Sequence, residues 1–194
     1  MDKDERERVA LNVMAHTLPL SAESLSAFAG ILQRCKLPRG ALFLREGETA
    51  RSMGVIVKGM VRQFYKKKGY EVTEHITYEG HLFVCLESFI CQQPSRMAVE
   101  AIEPTLLYEI PYDAFHELMD KNQEILRLYC AVLESSLLIS QRKADARCRQ
   151  TAEERYRALT NEHPEIIKRA PLIYIASLLG MTPETLSRIR AGKM

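Results

Sequence analysis

A chain of 194 residues with 46% apolar residues is long enough to bury a core, in one medium domain or two small ones. It has no apolar run of about 18 residues, the length a membrane helix needs, and its opening MDKDERERVALNVMAH mixes both charges without a signal-peptide core. The expectation is a soluble cytoplasmic protein with no membrane partner. The net charge of +2 hides an asymmetry: residues 142–194 hold 11 Lys and Arg against 6 Asp and Glu, whereas the other 141 hold 16 against 19. A basic last third fits a nucleic-acid partner.

In chain order, residues 4–17 and 21–35 read as helices, the second capped by Ser21 and carrying Leu25, Phe28, Ile31 and Leu32 as its apolar stripe. From Leu37 onward, glycines at 40, 47, 54, 59, 69 and 80 punctuate short runs rich in Val, Ile, Phe and Tyr. Strands are expected at 41–45, 54–58, 60–66, 70–77, 80–84, 97–103 and 105–110, with Lys58-Gly59, Lys68-Gly69 and Glu103-Pro104 as turns. Short strands at this spacing argue an antiparallel barrel or jelly roll.

Pro111 opens a short helix, 111–119, and a long one follows over 122–149. There Ile125, Tyr129, Val132, Ser136, Ile139 and Lys143 recur at steps of three and four. At 1.5 Å per residue it spans roughly 42 Å, more than a small domain needs. It is either a core helix on its own barrel or a helix that packs against a second copy. Thr151-Ala152-Glu153-Glu154 is a capping box starting a helix at 152–161. His163-Pro164 ends that helix, and a short one at 164–169 follows.

Residues 171–191, PLIYIASLLGMTPETLSRIRA, carry the strongest signal. Ile175 and Leu179 share one face of a first helix, Ala176 is small enough for close approach, and Gly180 supplies the left-handed turn. Thr182 is an N-cap, Pro183 suits the first helical position and Glu184 the positive helix end. Leu186 and Ile189 point back at the first helix, leaving Glu184, Ser187, Arg188 and Ala191 on the outward face. This is the layout of a helix-turn-helix; an ordinary helical hairpin closing a core is the bland alternative.

The segment resembles the DNA-binding motif of the Crp–Fnr family of bacterial transcription regulators, in which a small residue precedes the turn glycine and a stretch like S/T-x-E-T-[LV]-S/G-R follows. Here these are Ala176, Gly180 and Thr182-Pro183-Glu184-Thr185-Leu186-Ser187-Arg188. Leu37-Pro38-Arg39-Gly40 and Arg45-Glu46-Gly47-Glu48 look like the family's first barrel strand and turn. Val57-Lys58-Gly59-Met60-Val61-Arg62 looks like its xxGxVR hairpin. Val99-Glu100-Ala101, Leu107-Tyr108-Glu109-Ile110-Pro111 and Phe115 look like the end of its barrel.

The resemblance implies an α+β protein: an N-terminal antiparallel β-roll with flanking helices over 1–121, a dimerisation helix over 122–149 and a helix-turn-helix domain over 150–194. It implies a homodimer on double-stranded DNA with a near-palindromic site, and RNA polymerase as a further partner. Thr182, Pro183, Glu184, Thr185, Ser187, Arg188, Arg190 and Lys193 are the DNA-binding candidates. Arginines suit guanine edges and phosphates. Only about ten residues, 161–170, separate the helix 152–161 from Leu172, and they read as helix. The hairpin wing that many relatives place there is expected to be reduced or absent.

The same comparison points away from cyclic AMP. Cyclic-nucleotide-binding relatives carry FGE before a phosphate-capping helix and an arginine for the cyclic phosphate; here Val84-Cys85-Leu86 and Ser95 stand at those places. Arg96 is next to Ser95, but adjacent strand residues face opposite ways, which would point Arg96 out of the pocket. The pocket is therefore expected to take a different, unknown small-molecule effector, or none, with Leu86, Glu87, Arg96, Met97 and Ser140 as its lining. No cofactor is expected. The cysteines, Cys35, Cys85, Cys91, Cys130 and Cys148, form no CxxC pair, and none precedes Cys35, which disfavours structural zinc, disulfides and an N-terminal iron–sulfur site.

Two other functions fit the sequence less well. A cupin-type metal enzyme needs clustered histidines, and His16, His75, His81, His116 and His163 include no His-x-His pair, with only His75 and His81 in expected strands. No nucleophile–base pattern, P-loop or paired catalytic carboxylates are evident, so the expectation is that the chain is not an enzyme. A ligand-sensing or interaction module whose helix-turn-helix does not read DNA is the closer alternative.

Overall fold

Residues 33–111 form two four-stranded antiparallel sheets in a computed structural model that describes residues 3–14 and 20–192. His16 and Lys193 lie outside the described residues. The strands are β1 (Gln33–Leu37), β2 (Leu42–Leu44), β3 (Ser52–Lys58), β4 (Met60–Lys67), β5 (Tyr70–Tyr78), β6 (Leu82–Phe83), β7 (Ala98–Ala101) and β8 (Thr105–Pro111). Their orders are β1-β8-β3-β6 and β2-β7-β4-β5, an antiparallel roll of the expected kind.

The helices around it are α1 (Lys3–Met14), α2 (Ala22–Ile31), α3 (Leu86–Cys91), α4 (Tyr112–Lys121) and α5 (Gln123–Arg149). After them come α6 (Ala152–Glu162), α7 (Pro164–Arg169), α8 (Leu172–Leu178) and α9 (Pro183–Arg190).

One expectation fails: the second helix does not run to residue 35. It stops at Ile31, Leu32 turns to extended backbone (φ −67°, ψ 128°), and Gln33–Leu37 pairs in register with β8. The helical spacing of apolar residues continues past Leu32, but the open edge of β8 supplies a full ladder of hydrogen bonds, and tertiary pairing decides.

The core lies between the sheets and under the helices. Val55, Ile56, Val61, Phe83, Val99, Leu107 and Ile110 fill it, and all are buried. Phe28 of α2 and Phe115 of α4 meet at 6.1 Å, and Tyr129 of α5 stands edge-on to Phe115 at 5.5 Å. The start of α5 is tied to the start of α2. Asn122 donates to the Ser24 hydroxyl at 2.9 Å, and Glu124 accepts from the N–H and hydroxyl of Ser21 at 2.9 and 2.8 Å. Of α5's 27 residues only Ile125 and Leu128 are buried. Farther along it leaves Leu137, Leu138 and Ile139 at 65%, 52% and 50% exposure.

Thr151 and Glu154 cap α6 reciprocally, as their spacing predicts. The segment between α6 and α8 is the helix α7 with no strand, so the wing is absent among the described residues. A second apolar cluster joins these C-terminal helices to the barrel: Met60 and Ile102 pack with Ile166, Ala170, Ile175, Ala176, Leu179 and Leu186.

Between β3 and β4, Gly59 has φ +104°, and a Cβ there would lie 2.5–2.7 Å from Thr105 and the Pro104 carbonyl. Gly59→Ala is therefore expected to lower unfolding free energy by about 2 kcal/mol or more. Urea denaturation measures this, and a change under about 0.5 kcal/mol would contradict the packing described.

Candidate nucleic-acid interface and barrel cavity

Helix α8 ends as its sequence dictates. Gly180 sits at φ +65°, its N–H donates to Ser177 O at 3.0 Å and the Met181 N–H to Ala176 O at 3.0 Å. This is a Schellman turn, which needs a left-handed residue where Gly180 stands. Thr182 then caps α9, accepting from the Thr185 N–H at 3.2 Å. Arg155 of α6 donates to Leu179 O at 2.9 Å and Gln150 O at 2.6 Å, locking the turn to the start of α6. Ile175, Ala176, Leu179 and Leu186 are buried in the angle between the helices.

The other face of α9 is free. Thr182, Glu184, Ser187, Arg188 and Arg190 are exposed, and Pro183 and Thr185 are half-buried. Hydrogen bonds from its own backbone N–H and from Thr182 hold the Glu184 carboxyl below the usual range, with Arg188 adding to the effect.

The helix pair is docked on the barrel along β5, an edge strand. The Thr73 N–H donates to Ser177 Oγ at 2.8 Å. Tyr78 Oη lies 3.0 Å from His163 Nδ1. Arg169 grips Glu79 with two bonds, at 2.7 and 2.9 Å, and also bonds Glu103. Burial works against the Glu79 carboxylate, but bonds from Arg169 and the Gly59 N–H outweigh it and bring its pKa down to about 2.

Arg62, with its side chain only 4% exposed, pairs with Glu71 at 2.5 Å and Glu100 at 2.7 Å. Its guanidinium carbon lies 4.0 Å from the Phe64 ring centroid and 3.8 Å from that of Tyr174 in α8. No local pattern marks this set, because Glu100 and Tyr174 are 38 or more residues from Arg62.

A cavity of about 320 Å³ opens between α3, the segment before β7, the β4–β5 pair and α5. All five expected lining residues, Leu86, Glu87, Arg96, Met97 and Ser140, border it. Sequence reasoning missed Gln63, His75, Thr77 and Ser136, which also line it. The thiol of Cys85, which also lines it, is 3.8 Å from Gln63 Nε2, and burial pushes its pKa up.

Beside the cavity, Lys143 Nζ donates to Glu74 O at 2.7 Å and His75 Nδ1 at 2.9 Å. Burial first, then Lys143, lowers the His75 pKa to about 4, so the ring is neutral and accepts at Nδ1. Burial also lowers Lys143 to about 8, with Glu74 opposing.

The sequence profile of the cyclic nucleotide-binding domain matches residues 34–122. The chain is similar to the anaerobic regulatory protein of Haemophilus influenzae, with 27% identity over 184 residues, covering 88% of this chain and 70% of that one. Residues 34–122 thus match a cyclic nucleotide-binding domain, and the chain as a whole is similar to regulators of the Crp–Fnr type.

Two solved structures share this fold. FixK2 from Bradyrhizobium japonicum superposes with a TM-score of 0.68 at 21% identity, over 84% of each chain. The c-di-GMP-responsive global regulator CLP of Xanthomonas campestris superposes with a TM-score of 0.68 at 19% identity, over 89% of this chain and 91% of that one.

A cyclic phosphate needs a sheltered guanidinium and free amides at a helix start, and the one guanidinium lining this cavity among the described residues is not sheltered. Ser95 is buried, but its hydroxyl donates to Met97 O at 2.8 Å and accepts from the Met97 N–H at 3.0 Å. Arg96 is exposed at the rim, although no side-chain cap from Cys85 occupies the start of α3.

His75 sets a pH dependence. Its folded pKa lies below the unfolded 6.5, so the unfolded chain takes up a proton that the folded chain refuses. Its contribution to stability is present above pH 6.5 and lost as pH falls towards 4. His75→Gln is expected to flatten the fall in unfolding free energy between pH 6.5 and 5, measured by urea titration; an unchanged slope would refute this account.

Proposed function

We propose that the chain is a homodimeric DNA-binding transcription regulator whose barrel responds to a small molecule other than cyclic AMP. The observation that carries the reading is α9: a capped helix held by a Schellman turn, its apolar side buried and its polar side free. Arg188 reads guanine edges and Glu184 accepts from cytosine N4, while Arg190 and Lys193 bind phosphate. Thr182 and Ser187 add phosphate bonds, and Pro183 and Thr185 set the start of the helix.

In this reading residues 1–121 sense, 122–149 pair two copies and 150–194 bind DNA. Pairing follows from Leu126, Leu137, Leu138 and Ile139, which α5 leaves 45–65% exposed. A second copy of α9 on the dimer then requires a near-palindromic site with half-sites about one turn apart. The effector is expected to be a polar, non-anionic molecule, because the cavity offers thiol, amide, hydroxyl, imidazole and carboxyl groups beside apolar ones, with its guanidinium at the rim.

Binding selection from randomised duplex DNA tests the reading. A symmetric site is expected, and Arg188→Ala should bind it at least about tenfold more weakly. Selection of no symmetric site, with Arg188→Ala unchanged, would refute it. Leu137→Asp is expected to give a monomer in sedimentation analysis and to weaken binding to the full site; a dimeric variant would refute the pairing role of α5.

A further inference from the structure

We propose that the tip of the β4–β5 hairpin, from Lys66 to Tyr70, is a second DNA contact that grips phosphates beside the site read by α9. The inference rests on the DNA-binding reading above and extends it to a surface of the barrel.

The first observation is charge. Lys66, Lys67 and Lys68 are consecutive and exposed, and none is in an ion pair among the described residues. Tyr70 beside them is 76% exposed. Glu71, the nearest acid on the hairpin, is engaged by Arg62. The tip therefore presents three uncompensated cations and an aromatic hydroxyl, the groups that bind phosphate oxygens.

The second is shape. Lys68 and Gly69 both have positive φ, +50° and +83°, so the tip is a type I′ turn joining Lys67 and Tyr70 in register. The lysines sit on a defined two-strand ribbon.

The third is position. The contacts of this hairpin with α8 advance in order: Arg62, paired across the strands with Ile76, meets Tyr174, and Thr73 meets Ser177 near the end of α8. Moving along β5 towards the tip is thus moving along α8 towards the Gly180 turn and the start of α9. Tyr70 stands three residues, about 10 Å, beyond Thr73. The tip lies on the side of the N-terminus of α9, the end of a recognition helix that enters the major groove.

The contacts along this seam make hairpin and helix pair one body, so both meet a duplex together. In the place of a C-terminal wing this chain has α7, and the barrel hairpin takes over the task of straddling the backbone.

The test is the salt dependence of duplex binding by the full chain. Lys66→Gln, Lys67→Gln and Lys68→Gln are combined in one variant. An equal charge change on β1 of the other sheet and the turn after it, Arg34→Gln, Lys36→Gln and Arg39→Gln, is the control. Each phosphate contact contributes about 0.9 to the slope of log K against log salt. The lysine variant is expected to lose about 2–3 from that slope and about tenfold or more in affinity, equally on selected and random duplexes, and to select the same site.

The control is expected to lose less than about 1. A lysine variant with wild-type slope and affinity, or a control that falls as far, overturns the proposal. If Arg188→Ala weakens binding while the lysine variant does not, only the hairpin contact is wrong. If the wild type shows no salt-sensitive DNA binding, both readings fall.

Discussion

A guanidinium buried to 4% exposure is stable only if its charge and its flat faces are both matched, and Arg62 shows what that requirement organises. Glu100 of β7 and Glu71 of β5 supply the countercharge. Phe64, two residues along β4, supplies one face, but the other comes from Tyr174, outside the barrel. Without α8 in place, the guanidinium would lose an aromatic neighbour and gain water. The barrel thus contains a charge whose shelter is completed by the helix-turn-helix, and the orientation of that helix pair is specified from within the barrel.

β5 is where input and output meet. Successive residues on a strand face opposite ways. His75 and Thr77 line the cavity, while Ile76 and Tyr78 pack into the cluster under α7 and α8. On the long helix, Ser136, Ile139 and Ser140 reach the cavity and Lys143 ties the helix to His75. A molecule entering the cavity touches a strand whose reverse face holds the helix pair and a helix that carries the exposed apolar stripe.

Much of the architecture was legible because it rests on local chemistry. The Gly180 turn needs a left-handed residue, Thr182 and Thr151 are caps by composition and spacing, and glycines bound the strands. The five expected cavity residues came from a resemblance in residue order, and they do converge. What was illegible has no short-range signal. The strand at Gln33–Leu37 exists because β8 offers an edge, although the helical pattern runs through it. Arg169 meets Glu79 across 90 residues, and Lys143 meets His75 across 68. Such pairs are set by topology, and only a folded chain brings them together.

The docking of α8 has a consequence for handling the chain in pieces. β5 is nine residues long and edges its sheet. Its outward Thr73 N–H is satisfied by Ser177 and its Glu74 carbonyl by Lys143. Unpaired strand edges of this length are templates for pairing with other chains. A barrel cut off before α6 would present the Thr73 end of that edge, with Ile76 and Tyr78 uncovered beside it. The C-terminal helices therefore also act as a solubility cap, and the isolated sensor would be prone to edge-to-edge self-association.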